Sequence, residues 1–164
     1  MTPYHSKLLK KYIGIDPGRS GGIMVINELG EAVAYKCPEE ALDMSILFKL
    51  IVGETAPDDV ELLMERVWAR PGNAVRSAFT YGVNYGQWLG VVASHEIKMN
   101  VVIPNCWIKW VGCPKALAVK KRKHWLRDKA KELYPELKKV TLATADAILI
   151  THYAKEKFFN EKKL

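Results

Sequence analysis

Three acidic residues stand where an acid is hard to explain unless it has chemical work. Asp16 closes the apolar run Tyr12-Ile13-Gly14-Ile15 and is followed at once by Pro17-Gly18. A carboxylate at a strand end, beside a turn rich in backbone N–H groups, either caps that turn or holds a cation. Glu65 lies inside Leu62-Leu63-Met64-Glu65-Arg66-Val67. A charge in such a run needs an ion pair with a neighbour such as Arg66, or a metal, because charged groups are almost never buried unpaired. Asp146 shares a helical face with Leu142, Leu149 and Tyr153, at offsets of −4, +3 and +7, so its carboxylate points along the buried stripe. Each acid is expensive alone, and the three become reasonable together around divalent metal, where the chemistry on offer is metal-assisted hydrolysis.

The elements that must position them can be read from periodicity. Short apolar strands span 12–16 and 22–27 around the turn Pro17-Gly18-Arg19-Ser20-Gly21, and a third spans 32–37 after Leu29-Gly30, which makes an antiparallel meander. A helix over 39–52 carries Leu42, Ile46 and Leu50 at spacing four. The nearly continuous apolar strand 60–67 is expected to be central and covered on both faces. A long helix over 75–95, a strand over 100–103, a short helix over 105–111, a basic helix over 117–134 and a terminal helix over 141–159 complete the order β-β-β-α-β-α-β-α-α-α. This is an α/β chain with a mixed five-stranded sheet and helices on both faces. The small residues Ala143, Ala145 and Ala147 beside Asp146 let the terminal helix approach the sheet closely.

Composition bounds the rest. The chain has 164 residues and 49% apolar content, enough for one core and one domain, with a charged tail from about residue 155 expected to fray. It has no apolar run long enough to span a membrane, and its first residues, Met1-Thr2-Pro3-Tyr4-His5, lack the apolar core of a secretory signal, so a soluble intracellular protein is expected. Cys37, Cys106 and Cys113 form no Cys-x-x-Cys pair and read as reduced and structural. His5, His95, His124 and His152 are too scattered for a helical metal pair, and Trp107, Trp110 and Trp125 read as core or interface. The net charge of +7 sits in one segment: residues 115–139 hold ten Lys/Arg against three acids, centred on Lys120-Lys121-Arg122-Lys123 and continuing to Arg127. That concentration suits a polyanion, with nucleic acid the foremost candidate, or else a solvated helix face. Gly82, Gly86 and Gly90 repeat at spacing four in the long helix, each costing about 1 kcal/mol relative to Ala. They form a groove for a closely approaching backbone, either a neighbouring helix or the same helix of a second subunit, and the polar Asn84, Gln87, Ser94 and His95 exclude a membrane-embedded version.

Four segments resemble the RuvC-type Holliday-junction resolvases, particularly the forms of phages, poxviruses and chloroplasts. Tyr12-Ile-Gly-Ile-Asp-Pro-Gly-Arg-Ser-Gly-Gly22 is similar to the first acidic motif. Met64-Glu-Arg-Val-Trp-Ala-Arg-Pro-Gly72, followed by Ser77, Phe79, Gly82, Tyr85-Gly86 and Gly90, is similar to the second acid and its glycine-bearing helix. Val102-Ile-Pro104 with Trp107 and Lys109 resembles the next strand and short helix, and Ala145-Asp-Ala-Ile-Leu-Ile150 the last acidic motif. Together they run over most of the chain, in the family's order.

The resemblance implies an RNase H-like fold, a homodimer through the glycine face, and paired nicking of four-way DNA junctions with Mg²⁺ or Mn²⁺. Asp16, Glu65 and Asp146 match the metal-binding acids, with Asp16 bridging two ions about 4 Å apart. Trp68 falls where resolvases carry an aromatic that stacks at the opened junction, or else packs beneath Pro71-Gly72. The implied DNA-facing set is Trp68, Arg70, Arg76, Lys109, Lys120, Lys121, Arg122, Lys123 and Arg127. The chain departs from the family at Ala143, where a fourth ligand, Asp or His, is usual three residues before the last acid. Thr141 or Thr144 could substitute, or three acids suffice, or the chain is an inactivated form. Two alternatives therefore stand beside the resolvase: a junction-binding protein without catalysis, and a related nuclease acting on flaps or RNA. If phage-encoded, it would work in the bacterial or host cytoplasm, with an organelle left open.

Overall fold

The computed structural model describes residues 9–68, 72 and 74–161. Strands β1 (Lys11–Asp16), β2 (Gly22–Asn27) and β3 (Ala32–Lys36) form the expected meander, each antiparallel to the next. Tight turns permit this: Asn27 Oδ1 accepts from the amides of Leu29 and Glu31, both at 3.0 Å, and Gly30 takes the left-handed φ of 89°. Helix α1 (Ala41–Val52) then returns the chain to β4 (Val60–Glu65), which runs parallel to β1. Helix α2 (Val75–Ser94) does the same for β5 (Met99–Val102), parallel to β4. The sheet order is β3-β2-β1-β4-β5, so β1 is central and β4 is flanked on both sides.

Alternation along the central strands creates two cores, one on each face. Ile13 and Ile15 of β1, with Leu62 and Met64 of β4, point toward α1 and α2, where Phe48 and Trp88 meet them. Tyr12 and Leu63 point the other way, toward α3 (Pro104–Trp110), α4 (Val119–Leu133) and α5 (Leu142–Tyr153). Helix α5 is buried nearly all round, and its seat on the sheet is cut by two glycines. A Cβ added at Gly14 would collide with the Thr151 hydroxyl and the Ala147 carbonyl oxygen, and one added at Gly22 with the Ala143 carbonyl oxygen. The small side chains of α5 and the bare positions of β1 and β2 are two halves of one close contact.

Several expectations need correction. The stripe Leu42, Ile46 and Leu50 that marks α1 as a helix is 71%, 58% and 70% exposed, and the helix buries Met44, Phe48, Ile51 and Val52 instead. Strand β4 ends at Glu65, two residues early. Leu142, expected on the buried face of the last helix, is 43% exposed because it begins α5 at the rim. The tail does not fray through its described part: after a π-helical turn (Ala154–Phe158), Phe159 of α6 (Phe159–Glu161) is buried against Tyr12, at a ring separation of 6.5 Å. Cys37 and Cys113 are buried and free, whereas Cys106 is exposed and so not structural. Among the described residues no atom outside the helix's own neighbouring backbone comes within 4 Å of a Cβ built on Gly82, Gly86 or Gly90, so no neighbouring helix there explains those glycines. Among the described residues no helix is long and apolar enough to cross a membrane.

Gly14→Ala should push α5 off the sheet. The expected loss is about 1–3 kcal/mol, seen as a Tm lower by several degrees in thermal unfolding. An unchanged Tm would show that the contact yields without strain.

Candidate active site

Strand parity brings two of the acids together. On β1, Tyr12, Gly14 and Asp16 share the face turned to α5, and on β4, Leu63 and Glu65 share the same face. The parallel register pairs Ile15 with Met64, so Asp16 and Glu65 stand level at the carboxyl ends of adjacent strands, with backbones about 5 Å apart. The third acid arrives with α5. Gly22 pairs with Asp16 across the β1–β2 hairpin and lies under Ala143 and Thr144, so the amino end of α5, carrying Asp146, is set down beside Asp16. That end is fixed by a capping box in which Thr141 Oγ1 accepts from the Thr144 amide at 3.3 Å and Thr144 Oγ1 from the Thr141 amide at 3.0 Å. Both hydroxyls, the candidate substitute ligands, are thereby turned into the helix cap.

The electrostatics show that the acids face one another. Asp16 and Asp146 keep part of their residue surface in solvent, yet their carboxyl groups lie deep. Desolvation first, then the charges of Asp146 and Glu65, raise the Asp16 carboxyl well above its usual range, against a smaller lowering by Lys123. Desolvation pushes Asp146 up to about 6, opposed by Lys123 and Arg122. Hard oxygen donors crowded at this cost are the donor set that a divalent cation relieves, so the residues fit such an ion chemically. They do not close into a cage: among the described residues no three His, Cys, Asp or Glu form a ready-made metal-holding group.

Supporting contacts that the sequence did not disclose hold this end of the sheet. The Trp107 indole Nε1–H donates to Glu65 Oε2 at 2.8 Å, so a tryptophan read as core also orients an acid. The buried Asn84 of α2 accepts from the Gly18 amide at 2.7 Å, tying the turn after Asp16 to the long helix. The Cys37 thiol donates to the Asp16 carbonyl at 3.4 Å, and burial with the Asp16 charge pushes its pKa up to about 12, so it stays protonated. A polar residue set between the glycines of α2 was the only hint for Asn84, and Gln87 offered the same one. For Trp107 the spacing held none.

The predicted DNA-facing residues fare unevenly. Lys123 and Arg122 come close enough to shift the acids, which joins the basic helix to the site. Lys120, Lys121 and Lys109 are exposed, while Arg127 bonds to Asp128 Oδ1 at 2.8 Å. Trp68 is 45% exposed and lines a cleft of about 500 Å³ with Arg66, Ile103, Pro104 and Asn105, just beyond β4 and β5. Arg76 is exposed in the first turn of α2, and Arg70 lies outside the described residues. Two of the histidines have structural partners: His95 packs on Phe48 at 5.2 Å and His152 meets the Tyr134 hydroxyl at 3.0 Å.

A mixed sheet ordered β3-β2-β1-β4-β5, with acids ending β1 and β4 and a third on a helix laid across them, defines an RNase H-like fold. Two solved structures of RuvC from Thermus thermophilus share it. One aligns with a TM-score of 0.51 at 19% identity over 88% of this chain and 95% of its own. The other, RuvC in complex with a Holliday junction substrate, aligns with a TM-score of 0.55 at 17% identity over 90% of this chain and 96% of its own. No protein-family model and no curated protein sequence matches the chain.

The raised acids set the pH dependence of the metal-free fold. A carboxyl that binds its proton more tightly folded than unfolded contributes stability at low pH that is lost as pH rises through the folded value, here between 3.8 and about 6 for Asp146. In EDTA at pH 7.5, Asp146→Asn should therefore be more stable than the parent by about 1–3 kcal/mol, the amide also forgoing the attraction of Lys123 and Arg122. At pH 4 the two melting curves should nearly coincide. A variant less stable at pH 7.5 would contradict this.

Proposed function

We propose that the chain is a structure-selective DNA endonuclease that resolves four-way junctions by paired phosphodiester nicking. The carrying observation is the placing of Asp16 and Glu65 at the carboxyl ends of β1 and β4 with Asp146 of α5 beside them, where burial first and the charges of Asp146 and Glu65 next raise the Asp16 carboxyl. Two Mg²⁺ or Mn²⁺ ions held by these acids would supply an activated water and stabilise the leaving 3′-oxygen. Asp16, Glu65 and Asp146 would hold the ions, and Trp107 holds Glu65 in its orientation. Lys123 and Arg122 draw a phosphate to the acids, while Lys120, Lys121 and Arg127 of α4, with Lys109, Arg70 and Arg76, grip the backbone around it. Trp68 beside its apolar cleft offers a stacking surface for an unpaired base at the branch. The reading places the protein in whichever intracellular compartment holds branched DNA.

A homodimer supplies the second site for a symmetrical cut. Gly82, Gly86 and Gly90 leave open space along α2, and Val75, Phe79, Val83 and Leu89 of the same helix are exposed, as are Leu42, Ile46 and Leu50 of the adjoining α1. An apolar surface of this extent on two packed helices suits a second copy of the chain.

One feature favours a rival without catalysis. Ala143 sits one helical turn before Asp146 and offers no ligand. Such a protein would bind junctions in EDTA and stay inert with metal.

The deciding measurement is nicking of a synthetic four-way junction with Mg²⁺, compared with a flap and an RNA–DNA hybrid. The parent chain and Ala143→Asp should both cut the junction, the variant faster. Binding in EDTA with no cutting by either would leave the rival. Trp107→Phe should lower nicking by about 10–100-fold with junction affinity retained. For assembly, Gly86→Gln should raise monomer helix stability by up to about 1 kcal/mol yet convert the dimer to monomer in light scattering. A parent chain that is already monomeric overturns the dimer.

A further inference from the structure

We propose that the cleft between the β1–β2 turn and the first turn of α2 is a binding site for one non-scissile backbone phosphodiester of a DNA strand. The assignment rests on the DNA-directed reading above and adds a site apart from the acids and from the basic helix. The cleft measures about 370 Å³ and is lined by Gly18, Arg19 and Ser20 of the turn and by Arg76, Ser77 and Thr80 of α2, with the Tyr81 ring closing it against Gly18.

Two arginines from separate elements line one cavity. Among the described residues Arg76 makes no ion pair, and Arg19 pairs only with Glu39, at 3.1 Å. That pair is 68% and 50% exposed, so it is worth little in water and yields readily to a phosphate, whose oxygens accept two parallel guanidinium bonds. The hydroxyls of Ser20 and Ser77 add neutral donors. Thr80 gives its proton to the Arg76 carbonyl at 2.9 Å and so shapes the wall without donating to the ligand. The first turn of α2 carries no acid and no side-chain cap, which leaves the positive end of a 20-residue helix facing the same space. Among the described residues every lining group is cationic, neutral or an N–H donor, an inventory that selects an anion over a metal.

Position gives the site its purpose. The cleft begins two residues after Asp16, and the Asn84 bond to the Gly18 amide fixes this turn on α2. No described residue lining it is a carboxylate, so a phosphate bound there is held and not cut. A strand anchored at this point is kept in register with the acids next to it.

Backbone amide shifts in the metal-free protein test the assignment, with a single-stranded thymidine hexanucleotide and inorganic phosphate as probes at matched phosphate concentration. The hexanucleotide should shift Ser20 and Ser77, inorganic phosphate should do so more weakly, and Arg19→Ala/Arg76→Ala should raise the hexanucleotide midpoint at least about tenfold. The same double variant should lower the slope of log K against log salt for a four-way junction in EDTA by about one, because one phosphate fewer is neutralised. Ser20 and Ser77 unmoved while Lys120–Lys123 shift would overturn the site, as would inorganic phosphate matching the hexanucleotide, which would mark a free-phosphate site. Shifts at Ser20 and Ser77 in a chain that cuts no branched DNA would sink the nuclease reading and leave this site standing. Nicking with those amides silent would do the reverse.

Discussion

Helix α5 can lie on the sheet only because Gly14 and Gly22 present no side chain beneath it, and that close approach governs the rest of the molecule. It lets a helix of Ala, Thr and Ile sit close enough to β1 and β2 for its amino end to overhang the carboxyl end of β1. Asp146 is carried to Asp16 by this contact, not by any attraction between the two acids, which repel. The capping box at Thr141 and Thr144 and the buried stripe from Ile148 to Tyr153 hold the helix there against that repulsion. Packing on one element sustains an electrostatic arrangement that would not persist by itself.

The acids are then moderated from the outside. Lys123 and Arg122 approach from α4 and lower the cost of negative charge on the acids. Trp107 satisfies one oxygen of Glu65 and fixes its direction. The site is thus a cluster of acids rimmed by cations, an arrangement that costs the metal-free fold stability.

Helix α2 has two unlike long sides. Its inner side carries Asn84 and Trp88, the first bonded to the turn after Asp16 and the second buried in the core under β1. Its outer side carries glycines with open space above them and a run of exposed apolar residues continued by α1. The same helix that presents this outer side thus also holds the turn following the first acid.

By itself the sequence determined the element order and the mixed sheet, because alternation, helical spacing and turn residues are local signals, and it singled out three acids because a charge in an apolar run is conspicuous. It also located the close approach of the last helix through Ala143, Ala145 and Ala147. It misjudged which side of α1 is buried, since Leu42, Ile46 and Leu50 repeat at spacing four as well as any core stripe does, and only the neighbours decide which stripe is covered. The partners of Glu65 and of the Gly18 amide were likewise beyond it. Trp107 and Asn84 lie 42 and 66 residues away from them in the chain, and a hydrogen bond across that span leaves no periodic trace. The acids could be named from the sequence, but the groups that aim and moderate them were chosen by the tertiary fold, because burial and electrostatic coupling depend on which surfaces meet.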